Sequence, residues 1–215
     1  MKEIHVKKLS CAVADAEHVS RIMDDASIAF IPIDVVNWPD YPYCPKVEFR
    51  IVHCGESILL NYRVTETSVR AVAASDQGRV WEDSCCEFFV RPEDENEYYN
   101  FECNCAGTIL VNYGRKGDRH PASQEVLSGI KRWSSLGREP FEERLGEISW
   151  ELSLIIPVSS FFSHDFKELS GRVLRANFYK CGDLLQTPHF LSWSPINLPE
   201  PCFHCPDFFG RLVFE

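Results

Sequence analysis

The chain has 215 residues, of which 45% are hydrophobic and 13% aromatic, and its formal net charge at pH 7 is -10. This length favours one domain with enough apolar residues to bury a core of its own. The negative charge repels nucleic-acid backbones and anionic membranes, and no run of Lys or Arg supplies a basic patch, so we expect neither as a partner.

The first 25 residues are expected to form an N-terminal arm with a short helix around Asp15–Met23. The arm lacks the uninterrupted apolar stretch of an export signal, and no later segment reaches the ~18 apolar residues of a membrane span. We therefore expect a cytoplasmic location. Its ten cysteines are expected to be mostly reduced thiols that pack as small apolar residues, because disulfides accompany export.

After the arm, alternation of side chains with a period of two dominates, as half-buried strands require. In segment 57–65, Ile58, Leu60, Tyr62 and Val64 share one face of a predicted strand. Similar patterns predict strands near 28–37, 47–53, 84–91, 99–104, 107–113, 149–154, 174–179 and 208–214.

Turn-forming residues at 92–96 and 114–118 separate some of these strands. Helical patterns are confined to the arm and to short turns near 123–127 and 158–162. Many short strands with few helices predict an all-β fold, an antiparallel two-sheet β-sandwich similar to a jelly roll, with residues 1–215 forming one domain.

Five segments carry a resemblance to a known family. Residues 80–90 read VWEDSCCEFFV, in which a Trp and a short acidic turn precede a strand with an alternating carboxylate. The other four read EYYNFECN at 97–104, RANFYK at 175–180, HFLSWSP at 189–195 and FHCPDFFG at 203–210. In order and spacing they resemble the family 9 carbohydrate-binding modules and the wider DOMON-like group.

This resemblance implies a non-catalytic sandwich whose loops present two Trp side chains that clasp a mono- or oligosaccharide. Modules of this family accompany glycoside hydrolases in carbohydrate breakdown, so an accessory role beside such an enzyme is implied rather than catalysis. The family also carries structural calcium, for which we name no ligand, and no other cofactor is expected.

Sugar chemistry explains why aromatic and polar residues would be combined. A pyranose has an apolar face of C–H groups and a rim of hydroxyls, so an indole can stack on the face while carboxylates and amides bind the rim. Trp81 and Trp193 are the candidates for stacking, although an isolated Trp is more often a core residue. We expect Trp→Ala at either position to weaken sugar binding without unfolding the protein.

Four polar side chains are candidate ligands of the sugar hydroxyls: Glu87, Glu102, Asn104 and Asn177. Glu87 points to the strand face opposite its neighbour Cys86, while Glu102 and Asn104 share one face of the next strand. In the resembling modules the strand of Glu87 lies beside the first Trp. The sequence thus predicts a polar patch next to the aromatic rings.

Three alternatives stay open. Glu87 and Glu102, on adjacent strands, could approach the spacing of about 5 to 9.5 Å that paired carboxylates have in glycoside hydrolases. Cys202 and Cys205 offer an incomplete zinc ligand set, which we disfavour against buried thiols. A scaffold or protein-interaction sandwich, with a structural zinc or calcium ion, would instead show a contiguous apolar patch.

Overall fold

The structure, a computed structural model, describes residues 2–10 and 13–215. The described residues form a mostly antiparallel β-sandwich, in agreement with the prediction from the alternating pattern. The 14 strands are β1 Glu3–Lys8, β2 Ile31–Pro32, β3 Val35–Val36, β4 Lys46–His53, β5 Ser57–Ala71, β6 Cys85–Pro92, β7 Tyr98–Asn104, β8 Ile109–Arg115, β9 Asp118–Pro121, β10 Lys131–Ser134, β11 Phe141–Pro157, β12 Val173–Cys181, β13 Phe190–Ser192 and β14 Gly210–Phe214.

Two layers result from the strand pairing. The front sheet has the spatial order β9-β8-β7-β6-β12-β14, and β13 pairs with β12 and β3. The back sheet has the order β10-β11-β5-β4, with β2 on β4. Strand β1 connects the layers, because its first residues run parallel to β14 and Lys7 and Lys8 run parallel to β4.

The main core lies between the two sheets. Phe49 of β4 stacks on Phe178 of β12 with ring centroids 3.8 Å apart, and Phe88 of β6 continues the stack at 5.0 Å from Phe178. These rings come from the apolar face of the alternating strands, so the period of two in the sequence becomes the inner face of each sheet.

Two short helices pack against this sandwich. Helix α1, Val19–Asp25, follows a 3-10 turn at Ala16–His18, where the sequence predicts a helix, and packs Val19 and Met23 on the outer face of the back sheet. Helix α2, Gln124–Gly129, begins after Ser123, whose hydroxyl oxygen accepts a hydrogen bond from the amide of Val126. Within the described part of the chain, neither helix has the length and apolar character to cross a membrane.

The outer face of the front sheet is only partly covered. Phe89, Tyr98 and Tyr179 pack there against Trp38 and the C-terminal segment around Phe209. Beside this cluster the face stays open, and the candidate site lies in the opening.

Candidate functional site

A cavity of about 440 Å³ opens on the outer face of the front sheet. This volume lies within the range of small-molecule sites. Its floor is built by outward-facing residues of β6, β7, β8 and β12, and its walls by the surrounding loops together with residues of β9 and β13. The lining residues are Trp81, Glu87, Phe89, Asn100, Glu102, Leu110, Asn112, Lys116, Arg119, Cys181, Asp183, Phe190, Pro201, Cys202, Phe203 and His204.

Aromatic side chains form much of the wall. Trp81 belongs to a 3-10 turn at Val80–Glu82 and is only partly buried. Phe203 comes from the C-terminal segment and stacks on Tyr179, with centroids 4.1 Å apart and planes at 6°. Phe190 of β13 lies 6.2 Å from Phe203. With Phe89 of the floor, the cavity thus combines one indole with three phenyl rings.

Asp83 holds the turn that carries Trp81. Its carboxylate accepts hydrogen bonds from the amides of Val72 and Ala73 at 3.0 and 2.9 Å, and from the side chain of Asn104 at 2.9 Å. The backbone carbonyl of Trp81 also accepts the amide of Asp183 at 3.1 Å. A buried charge satisfied in this way fixes the position of the neighbouring indole.

A polar network covers the floor. Glu87 and Glu102 lie directly opposite each other on β6 and β7. Asn100 donates to Glu102 Oε1 at 2.7 Å and accepts a hydrogen bond from the guanidinium of Arg119, which lies 4.2 Å over the ring of Tyr98. Glu87 Oε1 accepts the thiol of Cys181 at 3.1 Å, whereas Glu87 Oε2 is buried and has no hydrogen-bond partner among the described residues.

Burial perturbs the acids of the floor. It raises the pKa of Glu87 well above its usual range, reinforced by Cys181 and Glu102. It raises the pKa of Glu102 to about 7, against the lowering effect of the hydrogen bond from Asn100. Burial and the neighbouring Glu82 raise the pKa of Asp183 to about 6. At neutral pH these shifts favour a protonated Glu87 and a partly protonated Glu102, which can donate as well as accept hydrogen bonds.

The structure brings three of the predicted site residues together, namely Trp81, Glu87 and Glu102. Asn104 is adjacent but fully buried, and its side chain is used by Asp83 and by the amides of Ala106 and Thr108. It therefore acts on Trp81 through Asp83 and does not line the cavity.

Trp193 and Asn177 lie outside the cavity, which corrects the expected pair of clasping Trp residues. The ring of Trp193 is 3% exposed and packs edge-on against Phe49 and Phe178 in the main core. Asn177 donates to the carbonyl of Ser194 and accepts its amide, so it shapes the loop that follows β13. The physical reason is that the loop folds inward and places the indole between the sheets.

Several cavity residues were missed by the sequence analysis. Asn100 could have been found, since it shares a strand face with Glu102 at a spacing of two. Phe203 and His204 lie in irregular backbone, where no periodicity indicates which way a side chain points. Their place in the wall depends on contacts with β12, such as the Phe203 stack on Tyr179.

The cysteines of the strands are buried thiols, including Cys85, Cys86, Cys103 and Cys181. Among the described residues, Cys85, Glu87 and Cys181 are the one group of at least three Cys, His, Asp or Glu side chains with ligand atoms all within 4.8 Å of one another. Cys202 and Cys205 do not belong to this group.

The chain matches a known protein family and is similar to several solved structures. The model of carbohydrate-binding family 9 matches residues 17–214. A crystal structure of a protein from Bacteroides uniformis, proposed to bind carbohydrate, is 61% identical, with a TM-score of 0.97 over 100% of this chain and 99% of that chain.

Two structures of a family 9 carbohydrate-binding module from Caldicellulosiruptor kristjanssonii share the fold at 12% identity. The complex with glucose has a TM-score of 0.62 over 100% of this chain and 96% of that one, and the complex with cellotriose has 0.61 over 100% and 94%. No curated protein sequence matches the chain.

Proposed function

The chain belongs to carbohydrate-binding family 9, and from this premise we propose that its front-sheet cavity binds a saccharide without altering it chemically. The observation that carries the proposal is the joint presence of Trp81 and Phe203 in the wall and of Glu87, Asn100 and Glu102 in the floor. This is the combination of flat apolar surfaces and directed hydrogen bonds that a pyranose needs.

Trp81 is the proposed principal stacking surface. It is the indole of the cavity and is partly exposed, so its face can take the C–H face of a sugar ring. Phe203 takes the place expected for a second Trp. Tyr179 stacks on one face of Phe203 and Trp38 lies 6.1 Å from its centroid, which fixes the ring, and Phe203 lines the cavity with its remaining surface.

The carboxyl groups are proposed to bind the hydroxyls. Glu87 Oε2 is buried without a partner among the described residues, and a ligand hydroxyl would satisfy it. Leaving a buried acceptor unpaired costs about 1 to 3 kcal/mol, so this bond would contribute more to affinity than one at an exposed site. Glu102, which is held by a hydrogen bond from Asn100, would bind a second hydroxyl.

The same acids support binding over hydrolysis. A glycoside hydrolase needs one protonated carboxyl as acid and one ionised carboxylate as base or nucleophile. Here burial raises the pKa of both acids, that of Glu102 to about 7, so at pH 7 neither is the fully ionised carboxylate that the second role requires.

The ligand is proposed to be a neutral pyranose, either single or at the end of a short oligosaccharide. Structures of a family 9 module from Caldicellulosiruptor kristjanssonii hold glucose and cellotriose, which makes these two sugars the first probes. A cavity of about 440 Å³ with loop walls suits one sugar ring more readily than a long chain lying across the sheet.

The experiment is calorimetric titration of glucose and cellotriose into the wild type, Trp81→Ala and Trp133→Ala. Trp133 is the matched control because it is also partly buried but packs on the outer face of the back sheet. We expect Trp81→Ala to weaken binding at least tenfold, or about 1.4 kcal/mol, by loss of stacking, while Trp133→Ala keeps wild-type affinity.

The proposal fails if neither sugar binds to the wild type, or if both variants bind as tightly as the wild type. Circular dichroism of Trp81→Ala checks that its fold is retained, which we expect because the side chain lies at the cavity wall.

A further inference from the structure

Strands β6 and β12 place two thiols and a carboxyl group side by side at the base of the cavity. Cys85 lies directly opposite Cys181 in the register of the two strands. Glu87 follows Cys85 by two residues on β6 and so points to the same face. The three side chains are buried, and their ligand atoms all lie within 4.8 Å of one another.

From this arrangement we propose that Cys85, Cys181 and Glu87 form a binding site for a thiophilic divalent cation of the Zn²⁺ class. Thiolates select such ions over Ca²⁺ and Mg²⁺, and Zn²⁺ accepts sulfur and carboxylate ligands in one tetrahedral shell. Ligand sulfurs of a tetrahedral Zn²⁺ site stand about 3.8 Å apart, given Zn–S bonds of about 2.3 Å. Small side-chain rotations would therefore close the site.

Glu87 Oε2, proposed above to meet a sugar hydroxyl in the metal-free protein, is a further ligand atom available to the ion. Glu87 is 3% exposed, and its Oε2 atom has no hydrogen-bond partner among the described residues. Only Oε1 is used, by the thiol of Cys181 at 3.1 Å. A cation between the carboxylate and the two sulfurs would satisfy this oxygen and replace the thiol hydrogen bond.

The positions of the three residues on their strands determine which of them face the cavity. Cys181 and Glu87 line the cavity, while Cys85 lies behind them. Three protein ligands leave a fourth position of the tetrahedron directed to the cavity, where water or a ligand oxygen can bind. Because all three ligands come from paired strands, the site is held by a rigid part of the fold.

Binding of the ion releases protons from its three ligands. Bonds form from the ion to the two sulfurs and to the Glu87 carboxylate, while two S–H bonds and one carboxyl O–H bond break. The three protons pass to solvent. Affinity should accordingly rise with pH.

The test uses the full chain, which is first treated with a reductant and a chelator. Both reagents are then removed. Cd²⁺ is titrated in, and the ultraviolet charge-transfer band from thiolate to Cd²⁺ is followed. We expect saturation at one ion per chain. Cys85→Ser and Cys181→Ser should each lose the band or raise the Kd more than about a hundredfold, beyond the 10- to 100-fold typical of residues that only orient ligands.

The matched controls are other thiols of the same chain. Cys86 and Cys103 are also paired across two strands, β6 and β7, but face the core without a carboxylate between them. Cys103→Ala should keep the band. Should that variant fail to fold, the exposed Cys44 provides a second control as Cys44→Ser.

Absence of a band in the reduced wild type overturns the proposal, as does an equal loss in Cys103→Ala or Cys44→Ser. Glucose titration into the metal-free protein keeps this result separate from the proposed saccharide binding. Sugar binding without Cd²⁺ binding would refute only the metal site, and the reverse would refute only the saccharide site.

Discussion

At the scale of single residues, the ring of Trp193 packs directly on Gly210. A Cβ atom at position 210 would lie 2.4 Å from Cζ3 of Trp193 and 2.7 Å from the carbonyl oxygen of Lys2. The indole can therefore occupy its core position only because β14 begins with a residue that lacks a side chain. Trp193 and Gly210 form one structural unit at the end of the sandwich.

This packing predicts different results for the two Trp residues that the sequence suggested as ligands. Trp193→Ala removes a fully packed core side chain and should lower the free energy of unfolding by about 3 to 5 kcal/mol. Trp81→Ala, at the cavity wall, should change it far less. Urea unfolding followed by circular dichroism measures both, and equal losses in the two variants would contradict the placement of Trp193.

At the scale of the elements, an ion pair connects the two sheets through the core. Lys180 Nζ of β12 lies 2.8 Å from Glu66 Oε2 of β5, and both side chains are fully buried. Trp150 Nε1 of β11 donates to the other carboxylate oxygen at 2.7 Å. Burial and the nearby Lys180 lower the pKa of His189 to about 2. Its neutral ring can therefore accept, at Nε2, a hydrogen bond from Lys180 Nζ at 2.8 Å.

Removal of one partner should leave the other as an uncompensated buried charge. Lys180→Met is expected to cost about 3 to 5 kcal/mol of unfolding free energy. The double variant Glu66→Gln with Lys180→Met should recover much of that loss, because the amide that replaces the carboxylate is neutral and its oxygen can still accept from Trp150. A double-mutant cycle by urea unfolding measures the coupling, and additive losses would show that the pair does not act as a unit.

At the scale of the whole molecule, stability should depend on pH through groups that oppose one another. Burial raises the pKa of Glu102 from 4.5 to about 7, so its contribution to stability is complete below pH 4.5 and is lost as the pH rises through 7. Burial lowers the pKa of His204 to about 4, so its contribution is present above pH 6.5 and is lost as the pH falls through 4. Stability should therefore pass through a maximum.

The variant Glu102→Gln isolates one arm of this profile. Gln keeps the acceptor for Asn100 but does not ionise. Relative to the wild type, its unfolding free energy should increase as the pH rises from 4.5 to 7, by at most about 3 kcal/mol. Urea unfolding at several pH values measures the difference, with the exposed Glu200→Gln as control. A difference that is flat across this window would contradict the raised pKa.

Local sequence patterns are sufficient to predict the architecture and one side of the site. Alternation with a period of two is a local property, and it correctly gave strands such as β5, β6 and β12 together with the faces they present. It also placed Glu87 and Glu102 on outward faces, next to the turn that bears Trp81. Three of the five segments that carry the family resemblance lie mainly on β6, β7 and β12, while 189–195 includes β13 and 203–210 leads into β14.

Which aromatic residues lie beside those acids depends on long-range packing. The irregular segments after β12 and before β14 have no periodicity, so nothing local tells whether Trp193 or Phe203 points to the cavity. Contacts with distant elements settle it, since Gly210 and Phe49 make room for Trp193 in the core and Tyr179 holds Phe203 at the wall. The pairing of Cys85 with Cys181 depends likewise on the register of β6 and β12, which is set by packing across the whole sheet.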